Sequence, residues 1–123
     1  MSDRPQNATP SLPSERSTQA WGDIALNARR AIDWTGDRSA AAFAEDVQTV
    51  YAVTRALEII SEAARRLEAS EREDRPELPW KDITGAGNVY RHDYDEVSPE
   101  ILWLTVKRRV PEILAAAEAV LCV

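Results

Sequence analysis

Apolar residues recur every three or four positions through most of the chain, which is the period of an amphipathic α-helix. A first helix is predicted to run from Trp21, with Ile24, Ala28 and Ile32 on one face, to a stop near Gly36. No segment shows the alternation of apolar and polar residues that is typical of strands, and no internal repeat is visible. The pattern therefore predicts an all-helical protein.

A second, much longer helix is predicted after Ser39, which is suited to an N-cap position. Its apolar stripe continues for about thirty residues, or roughly 45 Å at 1.5 Å per residue, and no glycine or proline interrupts it before Pro76. Because such a length is unusual in a small domain, we expect a shallow break near Gln48 or Thr49. The charged segment 70–77 is predicted to be a linker.

Two further helices are predicted in the second half of the chain. Pro79 suits the first turn of a third helix, and Ser98 suits the N-cap of a fourth that Pro111 should kink. Gly85 and Gly87 are poor helix residues, each costing about 1 kcal/mol relative to alanine. Either another segment approaches the third helix closely at these glycines, or the helix frays there.

Four amphipathic helices with short connections predict an antiparallel four- to five-helix bundle over residues 19–123. Residues 1–18 contain three prolines and few aliphatic side chains, so we expect a disordered tail there. Trp103 and the pair Ile59 and Ile60 widen the apolar stripes beyond one face. We therefore expect a homodimer whose interface covers the surplus.

Charge and cysteine content narrow the function classes. The chain has 15 Lys and Arg against 21 Asp and Glu, a net charge of -6, which argues against binding nucleic acid through bulk attraction. Local basic runs remain at 65–66 and 107–109, and their simplest interpretation is a solvated helix face. With the single cysteine Cys122 and no apolar run of membrane-spanning length, we expect a cytoplasmic protein that does not contact membrane.

The segment 87–94 concentrates the residues best suited to chemistry. Asn88 and His92 are four residues apart on a helix and Arg91 lies beside both, so the three polar groups could meet one phosphate. A histidine near its ordinary pKa can move the ribose 2′-hydroxyl proton or protonate a leaving oxygen, while a guanidinium and an amide hold the phosphate. The alternative is that His92 is a capping or salt-bridged surface residue.

Other chemistries have less support in the sequence. One histidine without partner cysteines gives no zinc-binding spacing, and Asp93, Asp95 and Glu96 lack a second ligand cluster, so no metal site is predicted. No glycine-framed nucleophilic serine and no phosphate-binding Walker loop occur, and no cofactor is predicted. A single imidazole per chain would become a pair at a twofold dimer interface.

The order of features from Trp21 onward resembles the HepT-like branch of the HEPN superfamily, which comprises ribonuclease toxins paired with minimal nucleotidyltransferase antitoxins. The segments that carry the resemblance are 21–24, 43–46, 56–64, 78–83, 87–94 and 103–111. The family motif is an arginine, a polar residue, a spacer, a histidine, and a tyrosine two positions later. Asn88, His92 and Tyr94 match it, whereas Gly87 stands where the arginine would be.

The resemblance implies a metal-independent endoribonuclease toxin that cleaves RNA at a dimer-interface cleft. It also implies neutralisation by a nucleotidyltransferase antitoxin that transfers AMP to Tyr94. With Gly87 in the motif, the missing guanidinium could come from Arg91, one turn along the same helix, or from Arg55. The alternative is a non-catalytic HEPN helical module that binds a nucleotidyltransferase partner and presents a nucleotide or substrate.

Overall fold

The computed structural model describes residues 14–92 and 97–122, with the exception of the His92 side chain. These residues form the helices α1 (Glu15–Thr35), α2 (Ala40–Glu45), α3 (Val47–Arg66), α4 (Ala69–Glu73), α5 (Trp80–His92), α6 (Pro99–Arg108) and α7 (Val110–Leu121). No strand occurs within the two described ranges. The all-α prediction is confirmed.

Helix α1 begins earlier than the sequence pattern suggests. The Ser14 side chain caps it by accepting a hydrogen bond from the backbone N–H of Ser17 at 3.1 Å, and Ser17 is buried. Residues 15–18, assigned to the tail in the sequence analysis, are therefore the first turn of the helix. The remainder of the predicted tail, residues 1–13, lies outside the described residues.

The predicted long second helix is divided at Asp46. Ser39 caps α2 as expected, and Asp46 caps α3 by accepting from the backbone N–H of Thr49 at 3.1 Å. Arg38 donates to the other carboxylate oxygen of Asp46 at 2.8 Å, which fixes the junction. The predicted break near Gln48 or Thr49 thus occurs two to three residues earlier. The predicted linker 70–77 partly forms the short helix α4.

Pro111 has a stronger effect than the predicted kink. Helix α6 ends at Arg108, Arg109 forms a turn between the helices, and α7 begins at Val110 with Pro111 in its first turn. Proline has no N–H with which to continue the α6 hydrogen-bond ladder, but it is well tolerated at the start of a helix. The predicted fourth helix is therefore two helices.

The long helices form an antiparallel bundle in which α1 packs against α3 and α7, and α3 packs against α5. Trp21, at the centre of the contact, is fully buried, and its ring meets Trp80 edge to face with 6.0 Å between centroids. Its indole N–H donates to Glu71 Oε1 at 3.0 Å, which ties α4 to α1. No helix in the described ranges is long and apolar enough to cross a membrane.

The apolar residues singled out as a surplus are mostly used within one protomer. Ile60 is buried, Ile59 is half-buried, and the half-buried Trp103 donates its indole N–H to the backbone oxygen of Arg38 at 2.8 Å. Other apolar side chains of the described residues are exposed instead: Leu26, Trp34, Val47, Tyr51, Val89 and Ile101. Trp103 and the isoleucine pair therefore give little support to a dimer interface, and the homodimer stays a prediction.

Candidate functional site

The two glycines of α5 have different surroundings. A β-carbon at Gly87 would lie 2.8 Å from Oγ and 2.9 Å from Cβ of Ser61 on α3, whereas one at Gly85 would meet nothing within 4 Å. The backbone N–H of Gly87 donates to Ser61 Oγ at 2.9 Å, and that hydroxyl donates to the Thr84 carbonyl oxygen at 3.1 Å. The close approach predicted at these glycines therefore occurs at Gly87 alone.

This contact falls at the position where the chain departs from the family motif. The position that the resemblance assigns to an arginine is buried between α3 and α5, and even one carbon atom there would overlap Ser61. A side chain at residue 87 is thus incompatible with the present spacing of the two helices. A guanidinium in this region must come from another position.

Arg91 lies one helical turn beyond Gly87, on the side of α5 that faces α3. Its Nη1 donates to Glu62 Oε1 at 2.6 Å, and the two side chains are 32% and 43% exposed. An arginine has five N–H donors, so this ion pair leaves donors available to a ligand. Glu62 therefore fixes the position of the guanidinium near the end of α5 without using up its hydrogen-bonding capacity.

The other predicted site residues are less constrained by the described structure. Asn88 is exposed on α5, next to the side that carries Arg91. His92 is the last residue of the helix, and its side chain lies outside the described residues, as do Asp93, Tyr94, Asp95 and Glu96. The described structure thus places Asn88 and Arg91 on adjacent sides of one helix end, and the convergence of His92 with them stays a prediction.

A cleft of about 710 Å³ opens beside this end of α5, between α2, α3 and the start of α6. The half-buried Tyr90 and Glu58 and the exposed Arg91 line its wall, and the strongly exposed Tyr51 and Val47 line its rim. Tyr51 is 71% exposed and Val47 is 60% exposed, which is unusual for apolar residues on a helix that contributes to the core. The cleft is therefore partly apolar at its rim and polar where it approaches Arg91.

Arg55, the alternative source of a guanidinium, is engaged differently. It is an exposed residue of α3, and its Nη1 donates to Glu58 Oε2 at 3.2 Å, three residues along the same helix. Because Glu58 lines the cleft, this pair brings Arg55 to its edge. Among described residues, Arg91 and Arg55 are both near the cleft, but only Arg91 shares a helix with Asn88 and His92.

Tyr90 separates the cleft from the interior of the bundle. Burial raises the pKa of its phenol, and the hydroxyl of Thr105 on α6 offsets part of that effect. The phenol is therefore neutral at any physiological pH, and Tyr90 contributes an uncharged polar side chain to the wall of the cleft. No three His, Cys, Asp or Glu side chains within 14–92 and 97–122 are grouped so that they could hold a metal ion.

Sequence reasoning missed Ser61, Glu62 and Glu58. Their importance depends on which face of α3 meets α5, and no local pattern in α3 encodes that choice. The one available signal was Gly87, because a glycine inside a helix often marks a close approach by a neighbour.

Comparisons with known proteins agree with the resemblance noted in the sequence. The family described as Ribonuclease HepT-like matches residues 24–120. A candidate RNase of Methanocaldococcus jannaschii is 38% identical over 108 residues, which cover 87% of this chain and 99% of that protein. A second candidate RNase of that organism is 32% identical over 80% of this chain and 82% of its own length.

A protein of Thermococcus cleftensis named probable ribonuclease HepT is 37% identical over 68 residues, covering 55% of this chain and 62% of that protein. No solved structure gives a significant match. The family match begins within α1, three residues after the buried Trp21, and ends at residue 120 in α7. It therefore includes part of every helix that forms the bundle and both sides of the cleft. The chain belongs to the HepT-like ribonuclease family.

Proposed function

We propose that this chain is a metal-independent endoribonuclease and the toxin of a toxin–antitoxin pair. The observation that carries the proposal is the position of Arg91, whose guanidinium is held by Glu62 at 2.6 Å at the end of the helix that bears Asn88 and His92. Family membership supplies the reaction class, and Gly87, with no room for a side chain, explains why the guanidinium comes from one turn further along.

The reaction needs a proton carrier and two groups that bind phosphate. His92 would take the proton of a ribose 2′-hydroxyl as that oxygen attacks phosphorus, or would protonate the departing 5′ oxygen. Arg91 and Asn88 would hold the non-bridging oxygens and stabilise their growing negative charge. Histidine is the side chain whose ordinary pKa lies near neutrality, so it can serve both steps.

The active unit in this proposal is a homodimer, because each protomer contributes one imidazole and the cleavage step uses an acid and a base. The exposed pair Val47 and Tyr51 on the cleft rim supports an interface there, since apolar side chains at this exposure gain from being covered. A second protomer seated on this rim would close the cleft and bring its own α5 end toward the first.

A cognate minimal nucleotidyltransferase is the proposed antitoxin, and AMP transfer to Tyr94 is the proposed means of silencing. A phosphate ester at that phenol would add negative charge beside a site that binds RNA, and like charges repel. Intact-mass measurement of the protein after co-expression with the nucleotidyltransferase should show the mass of one AMP on the wild-type chain and none on Tyr94→Phe. Unmodified wild-type protein that is nevertheless neutralised would contradict the transfer.

Growth of cells that express the chain alone tests the toxin proposal. We expect arrest with the wild-type chain, growth with His92→Ala, and growth with Arg91→Ala. Arg108→Ala is the matched control for Arg91, because Arg108 is an exposed helix residue outside the clefts of the described structure. Unimpaired growth with the well-folded wild-type chain would contradict the proposal.

Glu62→Gln separates a phosphate contact from a purely structural ion pair. If Arg91 acts only by pairing with Glu62, the Glu62→Gln change should remove activity as Arg91→Ala does. If Arg91 binds phosphate, Glu62→Gln should lower activity much less than Arg91→Ala, since the guanidinium is still present and loses only the carboxylate that positions it. We expect the second result.

A non-catalytic helical module is the second candidate, and Gly87 is the observation that favours it. Under that alternative, Arg91 and Glu62 would be a surface ion pair of small energetic value, and the chain would bind the nucleotidyltransferase without cleaving RNA. A stable complex with the nucleotidyltransferase combined with no cleavage of any RNA by the free chain would establish this alternative.

A further inference from the structure

Most arginines that pair within the described part of the chain are neutralised by carboxylates. Five such ion pairs occur, and the arginines are Arg29, Arg38, Arg55, Arg66 and Arg91. Arg65 and Arg72 are held differently. Arg65 Nε donates to the Thr84 carbonyl oxygen at 2.7 Å, and Arg72 Nη1 donates to the carbonyl oxygens of Ala64 and Leu67, each at 3.0 Å.

A carbonyl oxygen orients a guanidinium without cancelling its charge. Arg65, a residue of α3, is held against α5, and Arg72 of α4 caps the end of α3. Both cations are therefore positioned before any ligand arrives. Each uses only one of its nitrogen atoms in these hydrogen bonds, which leaves the others for an anion. Preorganised, uncompensated guanidinium groups are the arrangement that binds phosphate oxygens well.

These two arginines line one cleft of about 480 Å³ together with Lys81, Thr84, Gly85 and Trp80. No carboxylate lines it, although segment 68–77 nearby in sequence carries five. The charged side chains that line the cleft are thus all positive, in a chain whose net charge is -6. Gly85 contributes no side chain, and a β-carbon there would meet nothing within 4 Å, so a ligand has room to approach the helix backbone.

The basic cleft and the proposed cleavage site share one side of α5. Lys81, Gly85, Asn88 and residue 92 succeed one another at steps of four, three and four, which keeps them in a single stripe on a helix. Lys81, Gly85 and Asn88 are all exposed. Seven residues separate Gly85 from residue 92, or about 10 Å along the axis.

We propose that this basic cleft, formed by Arg65, Arg72, Lys81 and Gly85, binds backbone phosphates of single-stranded RNA upstream or downstream of the cleaved bond. The assignment rests on the proposed ribonuclease function and adds to it a subsite that the motif does not contain. A local basic cleft beside the exposed stripe of α5 would let a chain of negative net charge bind an anionic substrate. The affinity gained should depend on salt and little on base sequence.

Fluorescence anisotropy with labelled 2′-O-methyl oligoribonucleotides tests the proposal, because these lack the nucleophilic hydroxyl and cannot be cleaved. A dinucleotide probe would cover only the cleaved bond, and one of about twelve nucleotides, much longer than the roughly 10 Å between the two places, would also reach the basic cleft. Lys81→Glu should reduce the preference for the longer probe by roughly tenfold. The slope of log affinity against log salt should fall by about 0.7 for each phosphate that the variant no longer binds.

Two matched comparisons assign the effect to the cleft. Arg108→Glu makes the same change in net charge at an exposed site outside the clefts and should keep the preference for the longer probe. Gly85→Glu and Gly85→Gln fill the same open space, so their difference measures the charge alone, and only the glutamate should reduce the preference.

The outcomes separate this inference from the proposed function. Equal effects of Lys81→Glu and Arg108→Glu on a wild-type chain that binds or cleaves RNA would overturn the subsite and leave the ribonuclease proposal standing. A wild-type chain that neither binds nor cleaves RNA would overturn both. If Lys81→Glu weakens the complex with the nucleotidyltransferase and leaves RNA binding as it was, the cleft is a protein-docking surface and the RNA assignment is wrong.

Discussion

Alanine substitutions at the two glycines of α5 should change stability in opposite directions. Both replacements gain about 1 kcal/mol of helix propensity, because glycine is the costlier residue inside a helix. At Gly85 nothing opposes that gain, since the new methyl group meets no atom within 4 Å. We expect Gly85→Ala to raise the free energy of unfolding by about 1 kcal/mol, which corresponds to roughly 4 °C in Tm for a domain of this size.

At Gly87 the new methyl group would lie 2.8 Å from Ser61 Oγ and 2.9 Å from Ser61 Cβ. Forcing α3 and α5 apart to relieve this overlap costs about 1–3 kcal/mol, as overpacking of tight contacts generally does. After the propensity gain is subtracted, Gly87→Ala should be destabilised by about 1 kcal/mol. The difference between the two variants, about 2 kcal/mol or 8 °C, isolates the overlap because the helix term is common to both.

Thermal and urea denaturation of the two variants measure this difference, and Ser61→Gly provides the control. With Ser61 reduced to glycine, both offending atoms are absent, so adding Gly87→Ala should become stabilising. Gly87→Arg should be more destabilising than Gly87→Ala, which means that restoring the family arginine here would not restore a site. A Gly87→Ala protein that melts at or above Gly85→Ala would refute the reasoning.

Three further predictions concern the rest of the domain. Hydrogen bonds from the side chain and backbone of Thr49, with the nearby Arg38, lower the pKa of Asp46, so the stability it provides is present above its ordinary pKa and is lost as pH falls through the lower folded value. Acid titration of stability should therefore be less steep in Asp46→Asn than in the wild type. Burial raises the pKa of Tyr90, so its contribution is complete below the ordinary value near 10 and is lost as pH rises through the folded value. Tyr90→Phe should remove that alkaline loss, and an unchanged alkaline titration would contradict the burial argument. Deletion of residues 1–13 should barely change Tm, whereas deletion of residues 1–18 also removes the Ser14 cap and should cost about 1 kcal/mol or more. Equal melting of the two truncations would show that the cap contributes nothing.

The helical periodicity predicted the class of the fold because each long helix buries one stripe. Trp21, Ile24 and Ala28 recur on the buried side of α1 as expected. Boundaries were less predictable where a local side-chain contact ends or begins a helix. The break at Asp46 depends on its carboxylate capping Thr49 while Arg38 holds the other oxygen, and this combination has no signature in hydrophobic periodicity.

The sequence indicated the segment that holds the candidate site but not the contacts that its residues make. The sequence placed Asn88, Arg91 and His92 on one helix end, which the structure of α5 supports. It gave no reason to expect Glu62 as the partner of Arg91 or Ser61 as the neighbour of Gly87, since both depend on how α3 and α5 align. The cleft in which basic residues from α3, α4 and α5 meet was not predictable either, since it also depends on how these helices align.

The most direct test of the account is RNA cleavage by the purified chain in excess EDTA, followed on a mixed RNA substrate alongside His92→Ala and Arg91→Ala. We predict cleavage by the wild type that EDTA does not reduce, none by His92→Ala, and a loss of about two orders of magnitude or more in Arg91→Ala, as when a group that stabilises phosphate charge is removed. Circular dichroism should show the same helix content in all three proteins. Cleavage retained by a well-folded His92→Ala protein, or wild-type cleavage abolished by EDTA and restored by a divalent metal, would contradict the central claim.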